Sequence, residues 1–276
     1  MIHQEKFLQS GKQKIYTQSW EIENPKGLVG MIHGMWEHSG RYAHVAAFLN
    51  EHGYNAYAMD HIGHGKSDGQ RGHVDDYDLL LDSVQVFLDE MKSRNTNAKP
   101  VFLYGHSMGG NVLTNFLLRR KPLLQGAVLS APWYRLAFEP PMFQLLLAKI
   151  MIKIYPAFSD KAKIDAGAIS KDPVEVEKYK NDPMVFSNIT PAFFLPTFEN
   201  GLWALEHAKE ITMPILIYHG TADRLISSDG AKEFKQNTGD NVTLKLWEGV
   251  YHEAHNDFEK LEVMGFMTNW LHQHLA

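Results

Sequence analysis

No cysteine occurs in the chain. Disulfides, thiolate nucleophiles and thiolate metal sites are therefore excluded, and the absence fits a reducing compartment. No uncharged run reaches the ~18 residues expected of a membrane span. The opening Met1-Ile2-His3-Gln4-Glu5-Lys6 lacks the apolar core of a secretory leader, so a cytoplasmic protein is expected. A formal net charge of -5 leaves no basic footprint for nucleic acid. Internal repeats and low-complexity tracts are also missing. What remains is 276 residues, 44% hydrophobic and 21% charged, the balance of an ordinary globular chain and enough for a single α/β core.

Short apolar runs end repeatedly in polar or glycine-rich residues. They cover 27–32, 55–59, 101–104, 126–129, 214–218 and 242–246, and several run straight into Gly, His, Ser or Asp. Nearly continuous apolar strands suit a parallel sheet covered on both faces. Between 78 and 94, Leu80, Leu81, Val84, Phe87, Leu88 and Met91 recur at helical spacing, with Asp75 or Asp76 available to cap the start. Further helices are expected over 111–120, 229–236 and 257–274. Strands alternating with helices indicate a doubly wound α/β sheet. The looser alternation over 7–22 reads as an antiparallel hairpin at its edge. The rhythm breaks over 134–208, too long for one connection and rich in proline, with an apolar helix at Met142–Ile154. This span is expected to fold as an insertion over the carboxyl edge of the sheet, where ligands bind in open α/β folds.

Gly105-His106-Ser107-Met108-Gly109 matches G-x-S-x-G in the context the motif requires, after an apolar strand and before a helix. The sharp turn lifts the serine oxygen clear, and flanking glycines allow close backbone approach. Ser107 needs a base, and the chain order of such folds is serine, acid, histidine. Asp223 follows the 214–218 strand, and His252 follows the last strand. His252 can take the hydroxyl proton while Asp223 fixes its tautomer. Asp223 could instead cap the next helix. His255 competes with His252 but lies further from the strand end. Backbone N–H groups of Met108 and Met35 are the candidate oxyanion donors.

The segments His33-Gly34-Met35-Trp36-Glu37-His38-Ser39-Gly40-Arg41-Tyr42, Asp60-His61-Ile62-Gly63-His64-Gly65-Lys66-Ser67-Asp68-Gly69 and Gly105-His106-Ser107-Met108-Gly109-Gly110 together resemble the monoacylglycerol lipases and related lysophospholipases. Asp223 and His252 match their acid and base. The resemblance runs from about residue 30 to 257. It implies an α/β-hydrolase fold: a mostly parallel eight-stranded sheet with helices on both faces, a core of 1–133 and 209–276, and a mainly helical cap over 134–208. It also implies cleavage of a monoacylglycerol or similar single-chain lipid ester through an acyl-enzyme, without metal or organic cofactor, and a cap that touches membrane. A lysophospholipase, a general carboxylesterase or an acyltransferase could use the same machinery, and a ligand-binding sensor is the non-enzymatic alternative. Trp36 stands where the family has glycine, narrowing the site or stacking on an alcohol group. Trp36, Phe143, Leu147 and Phe194 are the candidate substrate contacts.

Two further groups have a plainer and a sharper interpretation. His61, His64 and His73 alternate with glycines and read as a hydrogen-bonded loop rather than a metal site, since no carboxylate-rich set accompanies them. Met142–Ile154 reads equally as a cap helix packed on the core and as an interfacial helix whose Lys149 and Lys153 meet lipid phosphates.

Overall fold

One eight-stranded sheet organises the protein in a computed structural model that describes residues 1–162 and 165–275. Residues 163 and 164, in the expected cap, and 276, at the end of the expected core, lie outside the described residues. β1 (Ile2–Ser10) and β2 (Gln13–Glu21) pair antiparallel, so the edge hairpin begins five residues earlier than the sequence pattern indicates. Then come β3 (Gly27–Ile32), α1 (Ala43–Glu51), β4 (Tyr54–Met59), α2 (Asp78–Arg94), β5 (Val101–His106), α3 (Met108–Arg120) and β6 (Gly126–Ser130). Between β6 and the next strand of the large sheet lie α4 (Met142–Ile154), β7 (Asp160–Lys161), α5 (Pro173–Asn181), β8 (Asn188–Ile189) and α6 (Pro191–His207). The chain closes with β9 (Ile215–Gly220), α7 (Ser228–Asn237), β10 (Val242–Trp247) and α8 (Lys260–Gln273).

The strand order is β1-β2-β4-β3-β5-β6-β9-β10. From β4 onward every pairing is parallel, so the carboxyl ends of β3, β5, β6, β9 and β10 share one edge. The strands β3 to β6 and β9 are buried throughout because helices cover both faces. Successive residues of a strand serve opposite faces. Leu103 belongs to the apolar cluster that α2, α3, α6 and α7 complete, whereas its neighbours Phe102 and Tyr104 belong to the one completed by α1 and α8.

Local chemistry explains where the insertion turns helical. Asp172 accepts the Val174 N–H at 2.9 Å and Pro173 opens α5, a cap followed by proline in the first turn. Thr190 and Pro191 repeat this device at α6. Pro196 lies inside α6, yet the helix continues because its face is held by the core: Phe193, Ala204 and Leu205 are buried against α3 and α7. Gly201 makes that approach possible, since a Cβ there would sit 2.7 Å from the Trp133 carbonyl oxygen. α6 therefore belongs to the layer covering the sheet, while α4 has no buried residue.

Candidate active site

Each group of the site stands on a loop at the shared carboxyl edge. The chain leaves β5 at His106, turns at Ser107 with φ 54° and ψ −118°, and enters α3 at Met108. A non-glycine residue in such a conformation is strained by about 1–3 kcal/mol. The turn is held by its backbone: the Ser107 N–H donates to Ser130 O at 2.9 Å, and Ser107 O accepts from Asn111 and Trp133 N–H groups at 3.0 and 2.9 Å. The glycines of the motif are steric requirements. A Cβ on Gly105 would lie 2.6 Å from Gly109 O, and one on Gly109 would lie 2.3 Å from Ile32 O. As the first helical residue, Met108 has an N–H without an intrahelical acceptor, at the positive end of the helix dipole.

Past β9, the Asp223 side chain is wholly buried. Its Oδ1 accepts the Leu225 and Ile226 N–H groups at 2.8 and 3.0 Å, which fixes the carboxylate plane. Its Oδ2 accepts from His252 Nδ1 at 2.6 Å and from His219 Nε2 at 3.0 Å. Burial pushes the Asp223 carboxyl up, but the charge of His252 and the two imidazole hydrogen bonds outweigh it and hold the group well below its usual range. For His252, burial opposes protonation, and the neighbouring Asp223 charge and hydrogen bond overcome it, raising the imidazole above 6.5. His255 takes no part in this pair. It is buried, stacks on Tyr42 and lies 3.3 Å from the Tyr104 hydroxyl. His219 was not anticipated, although its place at the end of β9 four residues before Asp223 is visible in the sequence.

After β3, both polar groups of Gly34 are occupied. Its N–H donates to Glu37 Oε1 at 2.6 Å, and its carbonyl accepts from His33 Nδ1 at 2.7 Å. The Gly34 carbonyl and the Met35 N–H belong to the same planar peptide, so His33 sets the direction of the proposed second oxyanion donor. The His61 N–H donates to His33 Nε2 at 3.0 Å, fixing the His33 tautomer. Burial lowers His33 and His61 well below the ordinary imidazole range and takes His64 to about 3. His61 and His64 thus act as neutral loop supports, while His73 bonds the Thr190 hydroxyl at 3.0 Å.

A buried ion network joins this loop to the one after β10. Arg41 donates to Glu37 Oε2 at 2.6 Å and in a fork to both Glu253 oxygens at 2.7 Å, and it lies 4.8 Å from the Tyr179 ring centre. Burial, helped by the charge of Glu253, leaves Glu37 raised despite Arg41, whereas the charge and fork of Arg41 overcome burial at Glu253 and bring it down to about 2. Glu37 and Arg41 stand inside a segment that carries the family resemblance and Glu253 directly follows His252, yet nothing in the sequence indicates that they meet.

Ser107, His252, Met35 and Trp36 line one cavity of about 330 Å³, which Trp133, Leu136 and Phe194 help to make apolar. Among the described residues the Ser107 hydroxyl makes no hydrogen bond; such links tighten when substrate fills the site. Phe194, a candidate substrate contact, is part of this lining. Phe143 and Leu147 do not line the cavity: they are 69% and 55% exposed on α4. Gln144, between them in sequence, faces the cavity instead. The helix is apolar on nearly all sides, so its periodicity does not select which face turns inward.

A family model described as serine aminopeptidase, S33, matches residues 23–259. A monoacylglycerol lipase of Mycolicibacterium smegmatis is 33% identical over 91% of this chain and 90% of its own length. An abhydrolase domain-containing protein of Dictyostelium discoideum is 30% identical over 97% of this chain, which spans only 29% of that protein. The crystal structure of Paleococcus ferrophilus monoacylglycerol lipase superposes with a TM-score of 0.86 at 30% identity, covering 94% of this chain and 99% of that one. The chain is a serine hydrolase of the α/β-hydrolase fold and belongs to the serine aminopeptidase S33 family.

Proposed function

We propose that the protein hydrolyses monoacylglycerols, with Ser107 as nucleophile, His252 as base and Asp223 as its orienting acid. Ser107 Oγ attacks the ester carbonyl carbon as its proton passes to His252 Nε2. The N–H groups of Met35 and Met108 stabilise the oxyanion. The carbon–oxygen bond to glycerol breaks, His252 returns the proton to the leaving oxygen, and water repeats the sequence on the acyl-enzyme. The 2.6 Å contact between His252 Nδ1 and Asp223, beside a cavity shared by Ser107 and His252, carries the proposal. The apolar lining suits an acyl chain, and the relatives of Mycolicibacterium and Paleococcus are named for this substrate.

The lipid-facing part of the expected cap, in this proposal, ends before α6. On α4, Met142, Phe143, Leu146, Leu147 and Ile154 are all exposed alongside Lys149 and Lys153, a composition suited to an anionic lipid surface. No helix among the described residues is long and apolar enough to cross a membrane, so contact would be peripheral. The test is a hydrolysis profile over monoacylglycerols of graded length, with a lysophospholipid and a short nitrophenyl ester as controls. Monoacylglycerols should give the highest kcat/KM, and Ser107→Ala should lose on the order of 10⁴-fold or more. Preference for the lysophospholipid would overturn the substrate, and ordinary turnover by Ser107→Ala would overturn the mechanism.

A further inference from the structure

We infer that Trp36 is the residue that sets the width of the site beside the ester bond, and that the cap holds it in place for that purpose. The inference rests on the ester-hydrolase proposal above.

Trp36 has φ 67°, a left-handed conformation that glycine takes freely and a tryptophan takes only under constraint. The constraint is visible. The indole Nε1–H donates to Asn188 O at 2.8 Å, and the Phe186 N–H donates to Trp36 O at 3.3 Å. Asn188 is itself fixed. It pairs with Lys161 in the β7–β8 ribbon, and its side chain donates to Ser159 Oγ at 3.1 Å. Behind it lies the backbone of Gly72, where a Cβ would come within 2.0 Å of Asn188 O. The ribbon also supplies Ile189 to the cavity wall, and Ala162 follows directly after β7 in the same wall.

The consequences follow from position. Trp36 lines the same cavity as Ser107 and His252 and directly follows Met35, the proposed oxyanion donor, so the inference puts its ring beside the ester carbonyl. A glycine at that position would leave the ring's volume open and the Asn188 carbonyl without its indole donor. The intact ring therefore disfavours bulk on the atoms bonded to the carbonyl while leaving linear chains unaffected.

The test compares two nitrophenyl esters of equal carbon number, the linear valerate and the branched trimethylacetate, in wild type, Trp36→Gly, Trp36→Leu and Trp36→Phe. Adding or removing a methylene-sized obstacle changes discrimination by about 10–200-fold. Trp36→Gly should raise the branched-to-linear ratio of kcat/KM by roughly tenfold or more, with Trp36→Leu between it and wild type. Trp36→Phe keeps a flat ring, smaller than indole, but loses the N–H donor; its ratio should stay closer to wild type than to Trp36→Gly while KM rises for both esters. A flat ratio across the series, or a Phe variant as permissive as Gly, overturns the inference even though the wild type still hydrolyses the valerate. A wild type that fails to cleave the valerate removes the hydrolase proposal and this inference together.

Discussion

Replacing Arg41 with methionine keeps most of the side-chain length and removes the charge that Glu37 and Glu253 share. Arg41, Glu37 and Glu253 are nearly inaccessible, with side chains 9%, 3% and 4% exposed, so solvent screening offers little relief. Arg41 holds Glu253 down at about 2 while Glu37 beside it stays raised, and removing one partner from a buried ion pair costs ~3–5 kcal/mol. In a chain of this size the loss lowers Tm by roughly 6–20 °C. The pH dependence has a definite sign. In the wild type, Glu253 is depressed, so its contribution is present above 4.5 and is lost as pH falls toward 2. Without Arg41, Glu253 rises above its unfolded value and the already raised Glu37 goes higher still, so the stability linked to them is lost as pH increases through those raised values. Thermal melts at about pH 5, 7 and 8.5 should show Arg41→Met closest to wild type at the acid end. Arg41→Lys should fall between them, because an ammonium cannot reproduce the fork. A variant melting within about 2 °C of wild type at pH 8.5, or a gap that does not narrow at pH 5, refutes the reasoning.

Asp223→Asn removes the charge that raises His252. The base works only when neutral, so the acid limb of kcat/KM should lie above pH 6.5 in wild type and move down in the variant, with kcat reduced about 10⁴-fold; an unmoved limb contradicts the assignment. Gly109→Ala forces a methyl group against the Ile32 and His33 carbonyl oxygens. It should cost about 1–3 kcal/mol or more in chemical denaturation and also slow ester cleavage, since the displaced backbone leads into the loop proposed to supply the Met35 oxyanion donor. Phe143→Ser with Leu147→Ser should weaken sedimentation with anionic vesicles much more than turnover of a water-soluble ester, because neither side chain lines the cavity; equal losses in both assays would place them in the site after all.

The central strands were legible because burial on both faces writes uninterrupted apolar runs such as 27–32 and 101–104. β1 was only half legible: residues 2 to 7 lie exposed at the sheet edge, where no apolar alternation is demanded. α3 starts at Met108 rather than 111 because Gly109 and Gly110 read as turn residues, whereas the structure requires them for close approach to Ile32 and Pro132. α6 was hidden by Pro191 and Pro196; one stands where helices accept proline and the other is tolerated through burial against α3. The proposed Ser107, Asp223 and His252 could be nominated from the sequence because each follows a strand end, and the structure pairs the last two beside the cavity that Ser107 lines. Arg41 and Glu253 were not, as 212 positions separate two charges that elsewhere would be solvated.

The buried polar contacts share a logic that single residues do not reveal. Four loops of the sheet edge supply the site, and each has its own route to misplacement of about an ångström, a displacement that can cost 10²-fold in rate. The nucleophile loop after β5 is held by its backbone; the others, with the neighbouring β4 loop, are tied together by groups whose loss would strand a buried partner. His33 and His61 tie the β3 loop to the β4 loop. Arg41 ties the β3 loop to the β10 loop, and Asp223 ties the β9 loop to the same histidine segment. Trp36 extends the chain of ties into the β7–β8 ribbon. An unsatisfied buried donor or acceptor costs about 1–3 kcal/mol, so each tie resists opening more strongly than its net hydrogen-bond energy would suggest. Such ties oppose displacement of one loop independently of its neighbours, which is the motion that would separate the proposed nucleophile, base and oxyanion donors. α4, which has no buried residue and packs on α6, is left outside this network, which is consistent with the lipid-facing role proposed for it.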